Sequence, residues 1–530
     1  MSSSGTVSRR RVLGLGVAGG VALLAGSGSP VAATTRRAFG ARPGLPLDPF
    51  ALGVASGDPT ADGVVLWTRL TQDPSAPAGA MPAVDIPVRW MVGSDENLRR
   101  VVARGRAVAR PGAAHSVRVA VDGLEPDRPY WYRFAVDDHE TAVARTRTFP
   151  APTDRARSLE FAFASCQNFR DGFYNAWADV AADDGLDVVV FLGDYIYESG
   201  GGQGAVRAHD VAEVVSLDDY RARYALYRSD ANLRAAHAVA PWIVTWDDHE
   251  VDNNYQGDAP EAASPTQDPA AFLARRAAGY RAWWEHMPTR LPPPDGPDLA
   301  IYRNADFGRL ARFHVLDTRQ YRSDQPCAPE RDVGPVCDEA RGEGITVLGD
   351  AQSRWFERSL ATSDAAWDVV AQQITFSQLA FTEGPDGIRN LDQWDGYPDA
   401  RRRVVDAWQR HRVANPVVIT GDIHASIVGD VTADFDDPAA PHVGTELVGT
   451  SISSSAPAVL QGILSDVVTR SPHLRWADAT ARGWVRVQVT PDALRADYRT
   501  VADNLVDGSP VTTTKSFVVE SGRPVTAVDG

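Results

Sequence analysis

Residues 187–198 read DVVVFLGDYIYE, and this stretch decides which fold the chain can adopt. Its apolar first half predicts a strand of a largely buried sheet, as in domains where helices cover the sheet. Gly193 follows the strand, and glycine lets the chain turn sharply so that Asp194 points at the sheet edge. In open α/β sheets that edge is where ligands bind.

Four other apolar runs end in the same way. The polar segments that follow them are 165–168 after 159–164, 246–250 after 242–245, 317–321 after 312–316, and 420–424 after 416–419. Because the carboxyl ends of parallel strands meet at one edge, we expect these segments to form one shared site. Asp422 and His424 are two positions apart, so both side chains would point to the same side of an extended segment.

Helical segments alternate with these strands from about residue 155 onward. Helices are predicted at 217–237, 268–287 and 350–363, the last with Asp350 as its N-cap. The alternation predicts an α/β domain built as layers around the sheet.

The region before residue 150 has a different pattern. Short alternating runs separated by turn-forming clusters predict a small antiparallel β-sandwich of the fibronectin III-like kind, with a corner at 124–132. We therefore divide the chain as follows: a signal peptide (1–33), a linker (34–45), the sandwich (46–150), the α/β domain (155–515) and a tail (516–530).

The N-terminus has the features of an export signal. Adjacent arginines in SRRRVL (8–13) precede a weakly hydrophobic stretch and a small-residue end at Ala33, which predicts a twin-arginine signal peptide. The apolar stretch is too short and too rich in glycine for a comfortable membrane span. We expect the twin-arginine export machinery to deliver a monomer, with no stable membrane span after processing, to the periplasm or the extracellular medium.

Charge and cysteine content narrow the function. The formal net charge of −16 argues against a nucleic-acid-binding surface, which would be basic. Of the three cysteines, Cys327 and Cys337 share a polar loop and are expected to pair in an oxidising compartment. Cys166 then remains as either an inert buried thiol or a thiolate held by a metal. A cysteine nucleophile would need the pattern CxxxxxR, whereas CQNFRDG places Arg170 too early.

The residue types at the strand ends indicate which metals would fit. Thiolate, imidazole and carboxylate ligands together suit a borderline transition metal. Asp194 and Tyr197 can face one ion across a tight turn, and a phenolate would favour Fe³⁺. Oxygen donors at Asp248 and at 253–254 suit a hard ion such as Ca²⁺.

Several motifs together resemble one family. The stretch LGVASGDPTADGVVLWTRL (52–70), followed by FASCQ, FLGDYIYE, WDDHE, LDTRQYR and TGDIH, is similar to the PhoD-type alkaline phosphatases. These are secreted metallophosphoesterases, and the family also includes secreted iron-dependent phospholipase D enzymes. The resemblance implies an α/β metallophosphoesterase-like layered sheet domain.

The resemblance also implies a ligand set. Fe³⁺ would be held by Cys166, Asp194, Tyr197 and His424. Asp194 would bridge to one or two Ca²⁺ ions, with Asp248 and Asp422 also on the cluster. Some members have a C-terminal helix that partly covers the site, but the tail here has no helical pattern. The size of substrate that can reach the site is therefore an open question.

The expected activity is hydrolysis of phosphate monoesters by metal-activated water. His249 would orient the water or protonate the leaving group, or else serve only a structural role. Arg319 or Arg322 would bind the phosphate as a bidentate fork, or instead form surface ion pairs. The alternatives are a phosphodiesterase or phospholipase D with the same metal centre, and a non-catalytic cell-surface binding protein.

Overall fold

The computed structural model describes residues 45–200, 205–209, 212–328 and 331–528. The predicted signal peptide and all but the last residue of the linker lie outside these ranges. Within the described ranges, no helix combines the length and the apolar character that a membrane crossing requires.

The secondary structure of the described residues alternates between strands and helices. The strands are β1 (Val54–Gly57), β2 (Gly63–Arg69), β3 (Ile86–Gly93), β4 (Val101–Ala109), β5 (Ser116–Asp122), β6 (Pro129–Val136), β7 (His139–Glu140), β8 (Ala144–Arg147), β9 (Leu159–Ala164), β10 (Val188–Phe191), β11 (Trp242–Val244), β12 (Arg303–Phe307), β13 (Ala311–Val315), β14 (Val333–Pro335), β15 (Trp367–Ala371), β16 (Ile388–Asn390), β17 (Pro416–Thr420), β18 (Ser426–Thr432), β19 (His442–Val448), β20 (Leu474–Asp478), β21 (Arg482–Val489), β22 (Ala493–Val501), β23 (Val511–Glu520) and β24 (Thr526–Ala527). The α-helices are α1 (Asn175–Ala182), α2 (Leu217–Arg228), α3 (Ala231–Val239), α4 (Pro269–His286), α5 (Gly349–Ala361), α6 (Pro398–His411) and α7 (Ala458–Arg470).

Two large sheets form the centre of the molecule. The first has the strand order β24-β23-β22-β21-β9-β10-β11-β1-β2-β5, with β9, β10, β11 and β1 parallel to one another. The second has the order β12-β13-β15-β17-β19-β18-β20, with β13, β15, β17 and β19 parallel. Each sheet therefore has a parallel core whose carboxyl ends can share an edge.

The two sheets pack face to face, and helices cover their outer faces. On β9, Phe161 and Phe163 point into the core between the sheets, whereas Ala162 and Ala164 point toward the helices. Helices α1 to α4 contribute to the core on that outer face, while α5 and α6 pack on the outer face of the second sheet. The result is a helix–sheet–sheet–helix layering, which confirms the predicted α/β class.

Two details of the predicted helices differ from the structure. The segment 217–237 forms two helices, because Asp230 accepts hydrogen bonds from the backbone N–H groups of Asn232 (2.9 Å) and Leu233 (3.0 Å) and so caps a new helix. Asp350 is not the N-cap of α5: it lies inside the first turn, and Thr346 Oγ1 accepts the N–H of Gly349 at 2.9 Å instead.

The N-terminal region forms two facing sheets with a shared apolar core. One of them contains β4, β3, β6 and β7, with β8 paired to β6, and the other is the β1-β2-β5 end of the ten-stranded sheet. The Tyr130 hydroxyl accepts the N–H of Glu125 at 2.9 Å, which forms the expected corner. The sandwich is thus continuous with the central sheet, since β1 pairs directly with β11.

The C-terminal residues complete the opposite end of that sheet. Strand β21 pairs antiparallel with β9, and β22, β23 and β24 follow outward. The sequence predicts a tail at 516–530, but β23 runs through that boundary and β24 lies beyond it. This part of the assignment is corrected: edge strands with one exposed face carry many polar residues and resemble a tail in sequence.

Candidate metal centre

Polar side chains from the predicted strand ends lie together at the shared edge of the two sheets. Three groups each place one donor atom per residue within 4.8 Å of the others. The groups are Cys166, Asp194 and His424; Asp194, Asp248 and His249; and Asp247, Asp248 and Asp422. Because Asp194 and Asp248 each belong to two groups, the donors form one continuous cluster.

Both glycines that precede predicted ligands are required by their surroundings. Gly193 has a φ of +112°, and a Cβ there would lie 2.5 Å from the Cβ of Asp247. A Cβ on Gly421 would lie 2.1 Å from Ser165 Oγ. The turns after β10 and β17 therefore approach the neighbouring loops more closely than any other residue would permit.

Four of the predicted ligands have left-handed backbone conformations. The φ angles are +60° for Cys166, +58° for Asp194, +65° for Asp422 and +56° for His424. Such conformations cost free energy in residues other than glycine, and they concentrate at functional sites. The strained turns direct these four side chains into the cluster.

A thiol, a phenol and an imidazole lie at one end of the cluster. The Tyr197 hydroxyl donates to Asp194 Oδ2 at 2.9 Å and lies 3.0 Å from His424 Nε2. His424 Nδ1 lies 2.8 Å from the carbonyl oxygen of Ser455, so this nitrogen carries the proton and Nε2 offers its lone pair. Burial lowers the pKa of His424 to about 4, which keeps the imidazole neutral as a ligand must be. Cys166 is a free, buried thiol.

The electrostatics of this end favour a cation. Burial, and next the charge of Asp194, raise the pKa of the Cys166 thiol and of the Tyr197 phenol well above their usual values. Burial also raises the pKa of Asp194, whose Oδ1 is buried without a hydrogen-bond partner. Closely packed buried acids are costly unless a positive charge compensates them. The donor set and the unpartnered oxygen therefore fit a bound metal ion.

His249 lies beside this group. Its Nδ1 is 2.6 Å from Glu198 Oε2, and its ring lies 4.0 Å from that of Tyr197. Burial lowers the pKa of His249, but the charges of Glu198, Asp194 and Asp248 outweigh it and raise the pKa well above its usual value.

Arg319 does not have the predicted role of a phosphate fork. Its side chain is fully buried, with Nε 2.5 Å from Asp247 Oδ1, Nη1 2.9 Å from Asp392 Oδ1 and Nη2 3.0 Å from Asp422 Oδ1. Arg322 donates to the same Asp392 at 2.8 Å. Carboxylates occupy the donors of Arg319, so we replace the prediction: both arginines form buried ion pairs that hold the acidic loops together, not surface pairs.

Three supporting residues escaped the sequence analysis. Glu250 accepts the backbone N–H groups of Asp194 (3.1 Å), Tyr195 (2.7 Å) and Asp247 (2.9 Å), and thereby joins the turns after β10 and β11. The position of Glu250 in the motif WDDHE, directly after a predicted strand, could have identified it as part of the site. Gln393 donates to Asp422 Oδ2 at 2.7 Å, and Ser454 donates to the Tyr197 hydroxyl at 2.8 Å. These two lie in loops that follow no predicted strand end, so the pattern gave no indication of them.

A cavity of about 270 Å³ opens onto the cluster. Its acidic and imidazole lining consists of Asp194, Asp248, His249, Asp332, Asp392, Asp422 and His424. The rest of the lining is amide or apolar, and within the described residues it includes no arginine and no lysine. No described residue of β21 to β24 lines the cavity, so the C-terminal strands leave its mouth open.

Comparisons with known proteins agree with this architecture. The family model described as "PhoD-like phosphatase" matches residues 161–498, and the model for the N-terminal domain of PhoD-like phosphatases matches residues 37–150. Alkaline phosphatase D of Bacillus subtilis (strain 168) is 44% identical over 490 residues, which cover 91% of this chain and 83% of that protein. The solved structure titled "Structure of PhoD" has a TM-score of 0.88 at 44% identity and covers 92% of this chain and 94% of that one.

These matches confirm the resemblance, the fold class and the enzyme class inferred from the motifs. Both the strand-rich N-terminal region and the layered domain have counterparts in the same family. The chain belongs to the PhoD-like phosphatase family of phosphoric ester hydrolases.

Proposed function

We propose that this chain hydrolyses phosphate monoesters by attack of water activated in a cluster of metal cations. The observation that carries the proposal is the sharing of Asp194 and Asp248 between three donor groups, each compact enough for a single ion. Bound cations would neutralise the phosphoryl oxygens and lower the pKa of water.

The donor types suggest two kinds of ion. The sulfur, phenol and imidazole of Cys166, Tyr197 and His424, with Asp194, would hold Fe³⁺. Asp248 and Asp422 offer only oxygen and would hold one or two Ca²⁺ ions, with Asp194 between the two kinds. The buried, unpartnered Oδ1 of Asp194 supports this bridging role.

The remaining residues have defined tasks in the proposal. Because no arginine or lysine lines the cavity among the described residues, the phosphoryl group depends on the cations for charge compensation. Glu198 fixes one ring nitrogen of His249 at 2.6 Å, and His249 can then give a proton to the leaving oxygen from its other nitrogen. Arg319 holds the acidic loops together through its buried ion pairs.

A comparison of substrates tests the proposal. We expect the metal-loaded enzyme to give a higher kcat/KM on p-nitrophenyl phosphate than on bis(p-nitrophenyl) phosphate or phosphatidylcholine. A large preference for either diester would establish the phosphodiesterase alternative with the same centre. If the enzyme hydrolyses none of the three esters, the proposal is wrong.

We also propose that the protein acts outside the cytoplasm. The pairing of Cys327 with Cys337 in the structure supports this location, because such disulfides persist in oxidising compartments. N-terminal sequencing of the mature protein should find residue 34 at its start. Recovery of the intact chain from the cytoplasm, with both thiols free, would contradict export.

A further inference from the structure

Part of the cavity wall is apolar and lies directly beside the acidic cluster. It is formed by Leu379, Phe381, Ile423, Val459, Leu460 and Ile463. Ile423 lies between Asp422 and His424 in the chain, so the apolar surface begins within one residue of two proposed ligands. One cavity therefore combines a cation-binding side with a water-repelling side.

Helix α7 packs against the domain and also presents apolar side chains to the cavity. Leu460, Leu464 and Val467 are buried at helical spacing and attach the helix to the domain. Val459 and Ile463 are one turn apart on the neighbouring face, and both line the cavity. This second pair makes α7 an apolar wall for the cavity as well as a packed helix.

Two apolar residues at the mouth of the cavity are exposed. Val459 is 69% exposed, and Val333, on the cavity rim in β14, is 46% exposed. Single exposed valines are ordinary, but here two from separate elements border the same cavity. A ligand group that covered them would gain hydrophobic free energy.

We propose that this wall binds the organic group of the substrate, and that the enzyme selects phosphate esters of apolar alcohols. The inference rests on the proposed function, since the cations must hold the phosphoryl end of the same molecule. It commits to a single ester molecule as the occupant: the phosphoryl group lies at the carboxylates and the alkyl or aryl group lies along α7. Substrates with negatively charged organic groups would meet a lining with five aspartates and no described arginine or lysine.

A homologous series of n-alkyl phosphates, from ethyl to butyl to hexyl, tests the inference below micellar concentrations. We expect kcat/KM for phosphate release to rise by about fourfold per added methylene. Val459→Asn and Ile463→Asn should each flatten that dependence. Binding of the matching alkylphosphonates as inhibitors should show the same trend without turnover.

Leu505→Asn is the matched control, because Leu505 is 56% exposed but does not line the cavity. Its dependence on chain length should equal that of the unmodified enzyme. If ethyl and hexyl phosphate react equally well, or if the gain appears only above the micellar concentration, this inference is wrong and the proposed function stands. If no alkyl phosphate is hydrolysed or inhibits while p-nitrophenyl phosphate is hydrolysed, only this inference is wrong; if p-nitrophenyl phosphate is not hydrolysed either, the proposed function fails as well.

Discussion

The hydroxyl of Tyr197 donates a hydrogen bond of 2.9 Å to Oδ2 of Asp194, three residues earlier on the same turn. The hydroxyl oxygen of Tyr197 also lies 3.0 Å from Nε2 of His424, a residue in the segment that follows β17 of the other sheet. A phenol, a carboxylate and an imidazole from two sheets thus meet at one point. If a ferric ion binds there, the phenol must lose its proton and become a ligand.

Tyr197→Phe tests this ligand. Tyrosinate bound to Fe³⁺ absorbs visible light, so the unmodified protein should be coloured and the variant should lose the band. The variant should stay folded, because phenylalanine keeps the ring that packs against His249. An absorption spectrum beside a far-ultraviolet circular dichroism spectrum makes the comparison. A visible band of unchanged position and intensity in the variant would remove Tyr197 from the ligand set.

Cys166→Ala should remove iron and activity while the fold persists. The thiol contacts Ser165 Oγ at 3.0 Å, and its loss leaves a small cavity at a buried position. Elemental analysis of the purified variant should find iron reduced at least about tenfold, as expected when a metal ligand is lost.

The control for this variant replaces the other two sulfurs, Cys327→Ser with Cys337→Ser. These residues form the disulfide and offer no free thiol, so iron content should stay the same. Full iron occupancy in Cys166→Ala would assign the cysteine to packing alone.

Arg319→Gln should destabilise the protein by about 3–5 kcal/mol, since it leaves several buried carboxylates without their cation. Arg309→Gln is the matched control: its side chain is 41% exposed and pairs with the exposed Asp364, so its loss should cost roughly 0–1 kcal/mol. Chemical denaturation measures both. If Arg319→Gln raised KM for the phosphate ester without loss of stability, the result would contradict the role in buried ion pairs and support a phosphate fork.

Cation binding should be strongly pH-dependent. Burial and neighbouring carboxylates raise the pKa values of Cys166, Tyr197 and Asp194, so protons compete with a cation for these groups. The sign follows: iron affinity should increase as pH rises and fall as pH decreases. Each displaced proton contributes about a tenfold change per pH unit. Competition with a chelator between about pH 6 and 9 measures this slope, and a flat profile would contradict the argument.

The convergence of the strand ends was predictable because strand direction and polar endings are local properties. Cys166, Asp194 and Asp422 each follow an apolar run, and parallel strands bring such endings to one edge. The two Gly-Asp pairs, 193–194 and 421–422, were also recognisable from the local sequence, since each glycine permits a close approach of the chain that another residue would block.

What could not be predicted depends on contacts between distant segments. The guanidinium of Arg319 is the same group whether it binds phosphate or buried aspartates, and only the positions of Asp247, Asp392 and Asp422 decide between the two. Likewise β1 pairs with β11 and joins the sandwich to the central sheet, but no sequence pattern in either strand predicts this pairing. Composition and periodicity describe each segment alone.

If the proposed function is correct, metal ions in this cluster are required for hydrolysis, and removing and restoring them decides the question. Metal content and the rate of p-nitrophenyl phosphate hydrolysis are measured on the same purified sample before chelation, after chelation and after reloading with Fe³⁺ and Ca²⁺. We expect iron and calcium in the active sample, loss of activity on their removal, and recovery when both return. A folded, metal-free protein that hydrolyses the ester at the full rate would contradict the proposed function.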